Sequence, residues 1–312
     1  MGKPSRVLIV GGTGYMGKRM VMASLALGHP TFVLVRPDQV ASNIHKAQLV
    51  ISFKQAGAHL IQGSVDDHES IVNALKQVDV VVSTIAESHI LEQLKLIKAI
   101  KEVGTIKRFL PSEFGMDVDR MHHVMEPGNL LFEQKRQVRR ATEAARIPYT
   151  YVSANCFAGY FLAGLAQYGR FIPPTDKVFI YGEGTRIVIW VYEDDAATYA
   201  LKTVDDPKTV NKTVYIRPPK NILSQREVVE IWEKLCGKVL HKMPISEEDW
   251  LAPMEDESTS VQRKVEMAIF YHIFYRGELA NFELNQSNQL EAATLYPDVE
   301  YTSVERYLSR FA

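Results

Sequence analysis

Apolar residues fall into two rhythms along the first half of the chain, and the rhythms alternate. Short runs rich in β-branched residues, RVLIV (6–10), TFVLV (31–35), HLIQG (59–63), DVVVST (79–84), KRFLPS (107–112) and YTYVS (149–153), read as strands. Between them, segments 15–27, 67–77, 89–103 and 130–146 repeat their apolar positions with a helical period. Near-continuous apolar strands separated by helices bury both faces, the pattern of a parallel sheet covered on either side.

The rhythm loosens after residue 155. NCFAGYFLAGLAQYG (155–169) is aromatic and glycine-rich, and the turn signal Pro173-Pro174 follows it. VFIYG (178–182) and TVYIRP (213–218) read as further strands, and 224–236 and 246–254 as helices. No repeat, low-complexity tract or flexible linker separates the halves. The expected fold is α/β, a Rossmann-type doubly wound parallel sheet with a smaller substrate-binding lobe. Residues 1–154 form the dinucleotide-binding domain, and 155–312 a mixed segment weaving between sheet and lobe.

Composition narrows the class. Thirty-six Lys and Arg against thirty-seven Asp and Glu give a net charge of -1, so no global field draws the chain to nucleic acid or to an anionic membrane. The two cysteines, Cys156 and Cys236, form neither a CxxC nor a metal-ligand spacing. Near the N-terminus the only apolar run, Val7 to Val10, is too short for a signal peptide or a membrane span, so a cytoplasmic protein is expected.

Gly11-Gly12-Thr13-Gly14-Tyr15-Met16-Gly17 follows the first strand directly and opens the first helix. Glycines at such a bend let the backbone approach a pyrophosphate, which then faces the unpaired N–H groups and positive end of the helix. A tight strand-to-helix turn calls for glycine on its own account, but here strand, turn and helix all fall where phosphate binding requires them. Arg36 ends the second strand, about twenty residues on, where an NAD site carries an acid for the ribose 2′-hydroxyl. An arginine there suits a 2′-phosphate, so the expected cofactor is NADPH, with the competing Asp38 turned away behind Pro37. Lys46 either adds a second cation to that phosphate or is a solvated surface lysine.

Ordinary short-chain dehydrogenases move protons with a Tyr-xxx-Lys pair, and no tyrosine here has a lysine four residues later. The best-placed substitute is Lys135 in LLFEQKRQVRR, on the helix after the fifth strand. Lys135 also opens the basic run Lys135-Arg136-Arg139-Arg140, so spacing alone leaves a catalytic and a solvated lysine both open.

GGTGYMGKR (11–19), HPTFVLVRP (29–37), QLKLIKAIKEVG (93–104), KRFLPSEFGMD (107–117), IPYTYVSANCFAGYF (147–161) and NKTVYIRPPKNILSQREVVEIWEKL (211–235) carry a resemblance along almost the whole chain. They are similar to the plant family of pinoresinol-lariciresinol, phenylcoumaran benzylic ether and isoflavone reductases, which are atypical short-chain dehydrogenases. In that family the lysine after the EFG motif is catalytic, and the matching position is Lys135. The resemblance implies NADPH-dependent hydride delivery to the benzylic carbon of a furofuran lignan, pinoresinol to lariciresinol to secoisolariciresinol, by a homodimer. Gly12, Pro127-Gly128 and IRPPKNILSQ lean to that substrate; the short loop STIAESHILEQ (83–93) and FGMDVDR lean to a phenylcoumaran or an isoflavone.

The implied chemistry needs a base, because the para-phenolate is what expels the ether oxygen and leaves a quinone methide to accept hydride. Lys135 can serve if burial or neighbouring Arg139 lowers its pKa toward ~7 to 8; charged, it would instead hold the ribose or the phenolate. Arg139 and Phe157 are placed at the cofactor, and Tyr160 and Phe161 at the substrate, though an aromatic run also suits plain core. The resemblance adds a substrate-side histidine, His272 in FYHIFYRG, for which a core or capping role is the alternative. From another class comes a non-catalytic NADPH-sensing protein, against which the retained Lys135 argues.

Overall fold

The computed structural model describes residues 2–312. Strands β1 (Val7–Val10), β2 (Thr31–Val35), β3 (His59–Gln62), β4 (Val80–Ser83) and β5 (Arg108–Leu110) lie parallel in the order β3-β2-β1-β4-β5. Helices α1 (Tyr15–Ala26), α2 (Pro37–Ala41), α3 (Ile44–Gln55), α4 (His68–Leu75), α5 (Gln93–Val103) and α6 (Asn129–Ala144) connect and flank them. Successive residues of β1 serve opposite layers. Val7 and Ile9 join the core under α1 and α3, whereas Leu8 and Val10 join the one under α4 and α5. Both faces are therefore covered, which is why β1 and β4 are apolar or small and buried at every position.

A parallel bridge from Phe109 to Tyr149 carries the sheet on to β6 (Thr150–Ser153). The next segments come from the lobe side: β7 (Cys156–Phe157), β8 (Lys177–Tyr181), β9 (Ile187–Val191) and α7 (Glu193–Lys202). β10 (Lys212–Tyr215) then returns to pair with β6, and β13 (Gln289–Glu291) pairs with β10, all parallel. α7 packs beside α1, its Tyr199 and Ala200 sharing the core of Met20 and Val21. The second half thus supplies both a layer helix and the outer strands of the sheet.

The lobe holds β11 (Ile222–Ser224), antiparallel to β9, and β12 (His241–Ile245), parallel to β8. Around them pack α8 (Gln225–Cys236), α9 (Glu247–Glu255), α10 (Val261–Phe274) and α12 (Val304–Leu308), while α11 (Ala292–Leu295) follows β13. Side-chain oxygens of Ser224, Ser246, Ser260 and Ser303 cap four of these helices. Tyr181 lies amid the rings of Trp250, Phe274 and Phe270, with centroids 5.1, 5.2 and 5.9 Å away. No helix among the described residues is long and apolar enough to cross a membrane.

Candidate active site

Order β3-β2-β1-β4-β5 reverses direction between β1 and β4, and the loops leaving those two strands border a crevice at their carboxyl ends. Gly11 leaves β1 with φ of +84°, and a Cβ there would lie 2.7 Å from the Thr84 carbonyl oxygen after β4. At Gly17 a Cβ would stand 2.0 Å from the Gly11 carbonyl oxygen, so only glycine lets α1 pack onto the turn. At Gly12 it would meet Val33 Cγ1 at 2.6 Å. Gly14 caps α1 without a side-chain hydrogen bond, and the first-turn amides of Tyr15, Met16 and Gly17 are left for an anion. Thr13 is half-buried at the bend, while the Met16 side chain is buried in the core. These features fit a dinucleotide pyrophosphate.

Arg36 is exposed at the carboxyl end of β2, caps α2 and makes no salt bridge among the described residues. Lys46, half-buried in α3, donates from Nζ to Gln39 Oε1 at 3.0 Å, one helical turn from Arg36. Two cations therefore flank the start of α2, where a 2′-phosphate would lie.

The inner face of α6 carries Phe132, Lys135, Val138, Arg139 and Thr142. Lys135 is 8% exposed, and its Nζ donates to the Glu113 carbonyl oxygen at 2.9 Å. No carboxylate forms an ion pair with it among the described residues. The acceptor belongs to a clamped turn. Phe114 (φ 44°) donates to the Val152 carbonyl, and the Gly115 carbonyl accepts from the Asn155 amide and, at 2.9 Å, from Ser153 Oγ. One Nζ–H is thus committed, and the amine is fixed at the carboxyl ends of β5 and β6.

Arg139 corrects an expectation. It is 1% exposed, and its Nε and Nη2 grip Glu113 at 3.0 and 2.8 Å while Nη1 reaches Asp117 at 2.7 Å and Asp119 at 3.0 Å. Its guanidinium also lies 4.4 Å from the Tyr151 ring centroid. The carboxylates hold its pKa well above the ordinary value in spite of burial. Four of its five donor protons go to these carboxylates, so in this structure Arg139 fastens the Glu113 turn on which Lys135 rests rather than facing the glycine turn's cofactor site.

His272 is corrected likewise. Its Nε2 accepts the Met125 amide at 3.2 Å, so the proton sits on Nδ1 and goes to Glu278 at 2.8 Å. Burial holds the imidazole below its ordinary pKa, against Glu278. Both nitrogens are spent on structural hydrogen bonds. The same tautomer makes the cluster of His123, His272 and Glu278 a hydrogen-bonded set, since a metal on Nδ1 would put a proton on Nε2 facing the Met125 amide.

The aromatic candidates divide. Tyr160, 48% exposed, and the half-buried Phe157 face the Tyr15 ring at 4.8 and 6.5 Å, beside the glycine turn. Phe161 packs on Phe270 at 5.3 Å and on Phe274, at the edge of the lobe core. An open cavity of about 520 Å³ along residues 170–177 lies beside this group at Phe171, edge-on to Tyr160 at 6.2 Å. Sequence reasoning missed Glu193, 1% exposed, which accepts from the Tyr15 hydroxyl at 2.5 Å and the Gly159 amide at 2.8 Å. Burial, then Glu193, pushes the Tyr15 hydroxyl far above its usual pKa, so it stays a donor.

The sequence profile of the NmrA-like family matches residues 3–308. Bifunctional pinoresinol-lariciresinol reductase 1 of Thuja plicata is 58% identical over 316 residues, covering 100% of both chains. AtPrR2, solved with NADP+ and (+)pinoresinol, superposes with a TM-score of 0.95 at 50% identity over 100% of both chains. A chain from the crystal structures of pinoresinol-lariciresinol and phenylcoumaran benzylic ether reductases gives 0.95 at 58% identity, again over 100% of both.

Proposed function

The chain belongs to the NmrA-like family, and on that premise we propose that it is an NADPH-dependent reductase converting pinoresinol through lariciresinol to secoisolariciresinol. Full-length likeness to bifunctional lignan reductases supports the substrate. The observation that carries the chemistry is Lys135, buried, without an ion-pair partner among the described residues and held by the Glu113 carbonyl. The non-catalytic alternative is set aside, because these relatives are reductases.

Bound NADPH supplies the hydride. The glycine turn holds the pyrophosphate, and Arg36 with Lys46 holds the 2′-phosphate. Lys135, entering as the neutral amine, takes the proton of the phenol para to the benzylic ether. The phenolate then expels the ether oxygen, giving a quinone methide whose benzylic carbon is the acceptor. Lys135 returns its proton once the ring regains aromaticity, and the freed alkoxide is protonated from water. Tyr160 and Phe157 offer flat apolar surface to the aryl ring and the nicotinamide. The reading extends to a homodimer in a cytoplasmic, reducing compartment, in keeping with two free cysteines, one of them buried.

The test is incubation with NADPH and, separately, pinoresinol, lariciresinol, a phenylcoumaran and an isoflavone, with products resolved chirally. Reduction of both lignans well ahead of the other two is expected. Preferred turnover of the phenylcoumaran or isoflavone would reassign the substrate.

A further inference from the structure

One oxygen ties the cofactor turn to the aromatic surface beside it. Glu193 Oε1 accepts from Tyr15, inside the glycine turn, and from the amide of Gly159, between Phe157 and Tyr160. The contact is closely fitted: a Cβ at Gly159 would lie 2.3 Å from the Tyr15 hydroxyl and 2.9 Å from Glu193 Oε1. Glu193 is itself held from several sides. It follows β9, whose Val191 pairs with Phe157 of β7, and it occupies the first turn of α7, where negative charge is favoured. Its neighbour Asp194 pairs with Arg19 of α1 at 2.9 Å, a second clasp between the same two helices. Arg19 in turn lies 4.3 Å from the Tyr15 ring centroid and donates to the Tyr15 carbonyl at 2.7 Å.

We infer that Glu193 is a positioning residue for hydride transfer, fixing the aromatic surface of Phe157 and Tyr160 at a set distance from the turn that holds the cofactor. It acts through Tyr15 and Gly159. The inference rests on the glycine turn being the cofactor cradle. Hydride transfer needs reacting atoms about 3–3.5 Å apart, and a displacement of about 1 Å costs up to about a hundredfold in rate. Two supports anchored to one carboxylate oxygen suit that demand, whereas cofactor affinity comes from the glycine amides and Arg36.

Two variants test this. Glu193→Ala removes both hydrogen bonds, while Tyr15→Phe removes one and keeps the ring beside Arg19 and Tyr160, so it still reports if the first does not fold. Hydrogen exchange of residues 157–162 is followed with and without NADPH, alongside NADPH affinity and turnover of pinoresinol with 4-deuterated NADPH. In the unaltered protein NADPH should slow exchange across this segment. Both variants should lose most of that slowing, bind NADPH within about threefold, turn over about ten- to a hundredfold more slowly and show a larger isotope effect. Retained slowing in Tyr15→Phe, or turnover within about threefold with an unchanged isotope effect, overturns the inference. If the unaltered protein does not reduce pinoresinol, the functional reading fails on its own and the exchange data alone decide the role of Glu193.

Discussion

Lys135 and Arg139 leave the same face of α6 one turn apart, and they end in opposite surroundings. Around Arg139 three carboxylates converge on one guanidinium; Lys135 is held by a backbone carbonyl and makes no ion pair among the described residues. Burial is alike, at 1% and 8% exposure, so the counter-ions make the difference. A buried cation with matched acids is a structural tie, because separating them strands charge in a dry interior. A buried amine without them is available to a ligand or a reacting proton. Basic runs in a sequence therefore say little about which member does chemistry until the acids are located.

Removing each side chain in turn separates the two roles. Lys135→Ala should lower pinoresinol turnover by ~10² to 10⁴, about 3 to 5.5 kcal/mol of barrier, with NADPH affinity by calorimetry little changed. Loss of affinity with turnover retained at saturating NADPH would make Lys135 a cofactor anchor instead. Arg139→Met should cost about 3 to 5 kcal/mol of stability in urea unfolding, because Glu113 and Asp117 are left buried without their cation. A loss under about 1 kcal/mol would show that those carboxyls find protons or water at little expense.

Arg36 extends the contrast to the surface, as an exposed cation that makes no salt bridge among the described residues, at the place where a 2′-phosphate would lie. Arg36→Asp should shrink the preference for NADPH over NADH by about ten- to a hundredfold in kcat/KM, the worth of one charge-assisted contact. An unchanged preference would transfer the phosphate contact to Lys46.

What the sequence made legible follows from the range of each interaction. The glycine turn and the first six strands are local, set by consecutive residues and period, and the observed bounds differ from the expected ones by two residues at most: β2 is Thr31–Val35 as read, and β5 is Arg108–Leu110 against 107–112. α7 and α10 were not read. α7 opens with Glu193, Asp194 and Asp195, which look like a solvated turn until Glu193 and Asp195 are seen to be buried against Gly159 and Thr302. α10 carries apolar residues all round its last two turns, with no polar face to reveal the period. The roles of Arg139 and His272 are not legible in the sequence for a related reason. Glu278 lies only six residues past His272, but Met125 is 147 residues from it and the acids of Arg139 are 20 to 26 residues away, separations no spacing rule spans. The acids of Arg139 were nevertheless in view, inside the EFGMD motif.

Asp195 is the converse of Lys135, a buried acid with no cation bonded to it, and it gives the smallest predicted effect. It is 9% exposed, and its Oδ2 accepts the Thr302 amide at 2.6 Å. Burial pushes its pKa up to about 6; Thr302 opposes that rise, neighbouring Asp194 adds to it and Arg310 pulls weakly the other way. Because the folded-state value exceeds the unfolded one near 3.8, the protonated form is favoured by folding. The resulting stability is full below about pH 4 and is lost as pH rises through 6. Asp195→Asn keeps an acceptor for Thr302 and removes the charge at every pH. Its advantage over the unaltered protein should be near zero at pH 4, grow between pH 4 and 6 and level off above, at about 1 to 3 kcal/mol. Urea midpoints of both proteins across that range would show it as a difference, so that other carboxyls titrating in the same window cancel. A difference that is flat with pH, or that favours aspartate at pH 8, would mean that water or Arg310 already compensates the charge.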